Sequence, residues 1–213
     1  MNQEEILKVI TGTSSKRDRQ VQVGPSEVGG CRRKVWHRLN GTPNLNTTLR
    51  LPALMGTAIH HMIEKQMDDI DPFNSRYLRE LEVEHDGFMG HVDCYDTVEK
   101  MVIDWKTTTK KNLSKFPSSQ QRTQVHLYGW LLERNGYEVK DVTLVAIPRD
   151  GNESNIVVHT EPYDARLAEH GLNWLESVKN MTEPPAPEMP ARTFCQSYCQ
   201  FYDPTGEKGC TGK

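Results

Sequence analysis

The segment Val102-Ile-Asp104-Trp-Lys106-Thr sets a carboxylate and an ammonium two residues apart in an apolar run. On a strand, residues i and i+2 share one face, so both charges point the same way. A carboxylate there can hold a hard divalent cation. The neighbouring lysine can orient an attacking water or stabilise charge building on a phosphate. A lone Asp-x-Lys recurs by chance on strand edges, so its companions decide. Gly90-His-Val-Asp93 puts a second carboxylate on the preceding strand, beside Asp104 if the two strands pair in register. Gly56-Thr-Ala-Ile-His60 offers an imidazole on a helical stretch, with Glu64 one turn later and His61 as the rival on the adjacent face. Gln124-Val-His-Leu-Tyr128 sets an amide and a phenol one helical turn apart, where they can contact a scissile phosphate or its neighbours. Glu82 and Glu84 precede the hairpin, and a surface role suits them better than a second metal position.

These groups need elements to hold them. Leu51, Leu54, Met55, Ala58, Ile59, Met62 and Ile63 recur at helical spacing, which predicts a helix over 49–67 carrying His60. Leu81-Glu-Val-Glu84 alternates, Asp86-Gly87 signals a hairpin turn, and strands follow over 88–96 and 101–105, so 78–107 reads as a three-strand meander. A polar, basic loop covers 108–117. Ser118 or Ser119 then starts a helix that Gly136 closes. Strands are expected over 139–147 and 155–160 and a helix over 164–181. Nearer the start, a short helix is expected over 3–10, a polar loop over 11–20, and a helix over 27–39 capped by Ser26. Pro184, Pro185, Pro187 and Pro190 forbid regular structure and mark a linker.

The formal net charge of -3 over 213 residues is a sum of opposed blocks. Residues 1–50 carry nine Lys or Arg against four Asp or Glu, and 61–104 carry four against twelve. Residues 105–122 then hold five basic groups, Lys106, Lys110, Lys111, Lys115 and Arg122, and no acid. An acidic block that can bind metal thus runs directly into a basic one that can neutralise phosphate. Charged residues are 26% and hydrophobic ones 36%, which argues against wholesale disorder. The chain has no apolar run long enough to span a membrane and no apolar export signal in its first thirty residues, so a cytoplasmic location is expected.

Five cysteines without an export signal argue against a disulfide scaffold and leave metal binding, catalysis or buried thiols. Cys94 follows Asp93 directly, so alternation turns it to the other side of the sheet as a small buried residue. Cys31 stands alone near the start. Cys195, Cys199 and Cys210 cluster near the end, separated by three and ten residues.

In order and spacing, His60, Asp93, Asp104-x-Lys106 and Gln124-x-x-x-Tyr128 resemble the RecB-like branch of the PD-(D/E)XK nuclease superfamily over roughly residues 50–135. The second motif lacks the proline of the superfamily's name. The resemblance implies an α/β, restriction-endonuclease-like core with a central mixed sheet flanked by helices. It implies that His60, Asp93, Asp104 and the backbone carbonyl of Trp105 bind Mg2+ or Mn2+, with Lys106 as the catalytic lysine and Gln124 and Tyr128 as an accessory motif. One early and three late cysteines resemble the iron–sulfur CRISPR-associated RecB-like nucleases and the AddB nuclease domain. In those proteins such cysteines hold a [4Fe-4S] cluster that joins the chain ends. Cys31, Cys195, Cys199 and Cys210 would do so here, although the gaps between the late cysteines depart from the usual pattern and leave tetrahedral Zn2+ as the rival.

The resulting expectation is one nuclease domain over 1–213. Its catalytic core spans about 50–160, and a cluster-bearing part is formed by 20–48 and 182–213. Its activity would be metal-dependent hydrolysis of DNA, as an exonuclease on single strands or ends, in recombination, repair or processing. It would act in a bacterial, archaeal or virus-infected cell, beside a helicase or recombination partner. Arg32, Arg33, Lys34, Lys110, Lys111, Lys115 and Arg122 are candidate DNA contacts. Two competing classes are a non-catalytic nucleic-acid-binding or adaptor protein on the same fold and a structural zinc protein.

Overall fold

Glycine and turn chemistry divide the chain into its elements, as seen in a computed structural model that describes residues 22–46, 51–188 and 192–212 together with 2, 3, 5, 6 and 9. The expected helix over 3–10 and loop over 11–20 lie largely or wholly outside the described residues. Helix α1 runs Arg32–Leu39 and α2 Leu51–Ile70; strands β1 Tyr77–His85, β2 Phe88–Asp96 and β3 Met101–Thr108 follow. Then come α3 Ser119–Arg134, β4 Asp141–Pro148, β5 Val157–Pro162, α4 Ala165–Lys179 and α5 Arg192–Tyr198. Pro184 to Glu188 adopt no regular structure, as their prolines require.

The first helix starts later than expected, at Arg32 instead of residue 27. Gly29 takes a φ of +77°, which a helix cannot use, and the short turn Pro25–Glu27 stands before it. Gly30 lies against α3: an added Cβ would stand 3.0 Å from Gln120 Nε2 and 3.1 Å from the Glu27 carbonyl. The helix start expected at Ser118 or Ser119 is a complete capping box, with Ser118 accepting from the Gln121 amide and the Gln121 side chain accepting from the Ser118 amide.

The five strands form one sheet in the order β1-β2-β3-β4-β5. β3 and β4 are parallel, with α3 as the crossover, and the other neighbours are antiparallel, so the sheet is mixed. Core side chains such as Val83, Val92, Val102 and Leu144 meet Val125, Leu127 and Leu131 of α3 and Leu175 and Val178 of α4. Asp104 meets α3 while Thr107 meets α2, so by alternation these two helices cover opposite faces. Among the described residues, no helix is long and apolar enough to cross a membrane.

Candidate active site

The site forms where neighbouring strands part. β2 and β3 pair through Asp96↔Met101, Tyr95↔Val102 and Cys94↔Ile103, and the ladder then stops. The next residues along are Asp93 and Asp104, which brings together the two carboxylates expected there. The Trp105 N–H donates to Asp93 Oδ2 at 2.9 Å, so a side chain replaces the ladder bond at the point of divergence.

A second irregularity shapes the same spot. Leu78 and Tyr95 pack on the core, but so do Leu81, Val83, Phe88 and Val92, so the inward-facing parity of both strands slips by one in between. The slip falls at Glu80, whose φ of +46° is left-handed, and at Asp93 opposite it. A non-glycine residue held in that region marks a place the surrounding structure over-determines. It turns Glu80 toward Asp93. His60 of α2 completes the group: one ligand atom from each of His60, Glu80 and Asp93 lies within 4.8 Å of the others. His60 Nδ1 is 3.4 Å from Asp93 Oδ1. Burial pulls the His60 pKa down, but the hydrogen bond and negative charge of Asp93 outweigh it, and the net shift is upward.

Asp104 is 1% exposed. Its Oδ1 accepts from Lys106 Nζ at 3.0 Å and from Gln124 Nε2 at 3.2 Å. Lys106 Nζ also lies 2.8 Å from Oδ2, but out of hydrogen-bond alignment, so that buried oxygen keeps its acceptor capacity. Burial and the charge of Asp93 push the Asp104 carboxyl above the ordinary range, and Lys106 opposes them. Gln124 Nε2 also donates to the Tyr128 hydroxyl at 3.0 Å. Both residues are buried, so this pair holds Asp104 from beneath, where sequence reading expected it to face a phosphate. Gly90 makes room for the arrangement: a Cβ there would meet Tyr128 Cε1 at 2.8 Å and Pro25 Cγ at 3.0 Å.

Other expected residues sit elsewhere. His61 and Glu64 pair with each other on the outside of α2 at 3.4 Å. Glu82 meets His91 at 3.2 Å, and Glu84 accepts from the Gly87 amide, which confirms their surface roles. Among the DNA candidates, Lys110, Lys111 and Lys115 are exposed beyond β3. Arg122 corrects the expectation: Glu161 of β5 takes its guanidinium through two nitrogens, at 2.8 and 2.6 Å, and does not leave it for phosphate. Arg32 pairs with Glu188, Lys34 pairs with Glu27, and Arg33 makes its own contacts. Glu80 was missed because strict alternation gives no reason to prefer it; its place opposite Asp93 in the hairpin register was the available signal.

All five cysteines are free thiols. Burial raises the Cys195 thiol, helped by the charges of Cys210 and Cys31, and burial raises Cys199, which also feels Cys195 and Cys210. Thus the early and late cysteines share one neighbourhood. Backbone and amide bonds hold it together: the Leu45 and Asn46 amides donate to the Gln200 carbonyl, and Asn46 Nδ2 donates to the Gln196 and Cys199 carbonyls. No three of these sulfurs all lie within 4.8 Å of one another. Cys94 lies apart, fully buried in the sheet.

Comparison with known proteins agrees with this construction. The structure of SSO0001 covers 94% of this chain and 94% of its own, with a TM-score of 0.58 at 20% identity. A phage-related exonuclease from Haemophilus somnus 129PT covers 74% of this chain and 92% of its own, with a TM-score of 0.51 at 10% identity. The alkaline exonuclease LHK-Exo from Laribacter hongkongensis, also solved in complex with dAMP, covers 75% and 87%, with a TM-score of 0.54 at 12% identity. These likenesses establish a shared fold. No curated protein sequence matches the chain. The PD-(D/E)XK nuclease superfamily profile matches residues 71–203, a span that begins at the turn before β1, takes in Glu80, Asp93, Asp104 and Lys106, and ends beyond Cys199, and the chain belongs to that superfamily.

Proposed function

We propose that this protein is a metal-dependent deoxyribonuclease of the RecB-like branch that degrades single-stranded DNA or DNA ends as an exonuclease. The observation that carries the reading is the convergence of His60, Glu80 and Asp93 beside the Asp104–Lys106 pair. The donors fit a hard cation: two carboxylates, one imidazole and the unfilled oxygen of Asp104 match Mg2+ or Mn2+ better than a soft ion. His60, Glu80, Asp93, Asp104 and the Trp105 carbonyl are the residues that would hold it. When bound, such a cation neutralises phosphoryl oxygens and lowers the pKa of a coordinated water.

The chain's own residues do the rest. Lys106, 22% exposed at its side chain, reaches the opening and presents its ammonium to the water or to the charge that builds on the phosphate. Asp104 holds that lysine in place, and Gln124 holds Asp104 through its Oδ1. The amide of Trp105 fixes the Asp93 carboxylate. No covalent intermediate on the protein is needed. The naming of LHK-Exo and of the Haemophilus protein as exonucleases, and the dAMP bound to the former, favour DNA ends as the substrate.

Cys31, Cys195, Cys199 and Cys210 would hold a [4Fe-4S] cluster. Four thiolates suit such a cluster, with tetrahedral Zn2+ as the rival. The cluster's part would be structural, joining α1 to the proline-interrupted tail.

Incubating the protein with Mn2+ and single strands blocked at the 5′ or the 3′ end tests the activity. Mononucleotide or short-oligonucleotide release from one polarity is expected, and intact strands with bound Mn2+ would reject the reading. Visible thiolate-to-iron absorption after anaerobic purification, with near four irons per chain, is expected at the cysteines. A colourless zinc protein would reject the cluster.

A further inference from the structure

Arg149 follows directly on β4, whose register pairs Ala146 with Lys106, Ile147 with Thr107 and Pro148 with Thr108. Its amide donates to the Thr108 carbonyl at 3.0 Å, so it stands at the same end of the sheet as Lys106. Arg149 lies three residues beyond Ala146, the partner of Lys106, about 10 Å along the strand, which the reach of an arginine side chain brings to about one nucleotide step of an extended strand. Ligands of α/β sheets gather at the carboxyl ends of parallel strands, which is where β3 and β4 finish.

The partners of Arg149 set it apart from other arginines. Arg32, Arg76, Arg79, Arg122 and Arg166 each meet a carboxylate. Arg149 is half-buried, and among the described residues its one side-chain partner is the Pro52 carbonyl, at 3.3 Å from Nη1. That bond steadies the guanidinium against the first turn of α2, eight residues before His60, and leaves its remaining donors to a ligand. The acid next to it is turned away: Asp150 Oδ1 accepts from the Lys110 amide at 2.8 Å. This bond also ties the turn after β4 to the basic segment after β3.

We propose that Arg149 is a positioning residue that binds the phosphate one nucleotide from the scissile bond and so sets the register of the strand over Lys106. This rests on the nuclease reading above. A guanidinium braced on one side suits such a role, since its fork can take a phosphate through two parallel N–H bonds.

The test compares Arg149→Gln and Arg149→Lys with the parent. Binding of a short fluorescent single strand is followed by anisotropy in EDTA across salt concentrations, and Mn2+-dependent turnover is measured separately. For Arg149→Gln, KM and Kd are expected to rise about tenfold with kcat changed less than twofold. The log–log salt slope should become shallower by about 0.7, the share of one phosphate on a single strand. Arg149→Lys should restore the slope but only part of the affinity. Unchanged binding, an unchanged slope, or a loss that follows a lowered melting temperature with KM unaltered would overturn the role and leave Arg149 as a brace for α2. If the parent binds the strand without cutting it, the nuclease reading fails while the binding arm still judges Arg149. If the parent binds no strand, the inference fails as well.

Discussion

The Trp105 backbone N–H donates to Asp93 Oδ2 at 2.9 Å, across a gap where the β2–β3 ladder has already ended. One carboxylate therefore does two jobs: it satisfies a strand amide and offers its other oxygen to the site. Asp93→Asn keeps an acceptor for the amide but loses the negative charge. It should fold with a melting temperature close to the parent's while Mn2+ binding, measured by calorimetry, is lost. Asp93→Ala should lose both, with a further cost of about 1–3 kcal/mol for the unsatisfied amide, read as a lower Tm.

Gly90 is the point of closest approach beneath the site. A methyl group there would stand 2.8 Å from the buried Tyr128 ring. Gly90→Ala should cost about 1–3 kcal/mol and lower Tm by several degrees. The displacement should pass through Tyr128 and Gln124 to Asp104, so cleavage should fall more than stability alone explains. An unchanged Tm and unchanged cleavage would show that the ring has another place to go.

Much of this arrangement was legible in the residues. Asp104 and Lys106 announce themselves by i, i+2 spacing on an apolar strand, His60 by its place on a helix, and α3 by Ser118 and Gly136. The strand Phe88–Asp96 follows directly from the Asp86-Gly87 turn. What stayed hidden depended on departures from regular geometry. Glu80 reaches the site only because the strand slips parity at a left-handed residue, and period-two reasoning has no place for such a slip. Arg122 looked like part of a basic run. Its partner Glu161 lies on a strand that sequence order does not bring near. Gln124 and Tyr128 were expected at the phosphate by their one-turn spacing on the helix after the basic loop, whereas here they support a buried carboxylate.

Glu161 provides an acid-stability test away from the metal ligands. The Arg122 guanidinium beside it, with His126 second among its hydrogen-bond partners, holds its carboxyl down to about 2, against an ordinary value of 4.5. A depressed carboxylate contributes stability that is fully present above its unfolded value and lost as pH falls toward the folded one. Glu161→Gln should therefore be less stable than the parent at neutral pH. The gap in Tm should close as pH drops from 4.5 to about 2. A gap independent of pH would assign the pair no electrostatic role.

Cys94 should behave unlike the other four cysteines. Burial pushes its thiol up to about 12, with Asp96 adding to the effect, so little thiolate forms at neutral pH. In native protein stripped of metal, alkylation should mark the half-buried Cys31 first, reach Cys195, Cys199 and Cys210 more slowly because burial shields or raises those thiols, and spare the fully buried Cys94. Cys195→Ala should lose iron, and Cys94→Ala should keep it.

The most direct test of the central claim is the rate at which Lys106→Ala degrades single-stranded DNA with Mn2+, measured alongside its melting temperature and Mn2+ affinity. A fall of about 10²–10³-fold is expected, in a folded protein that still binds the ion. A variant that folds, binds Mn2+ and cuts as fast as the parent would contradict the claim.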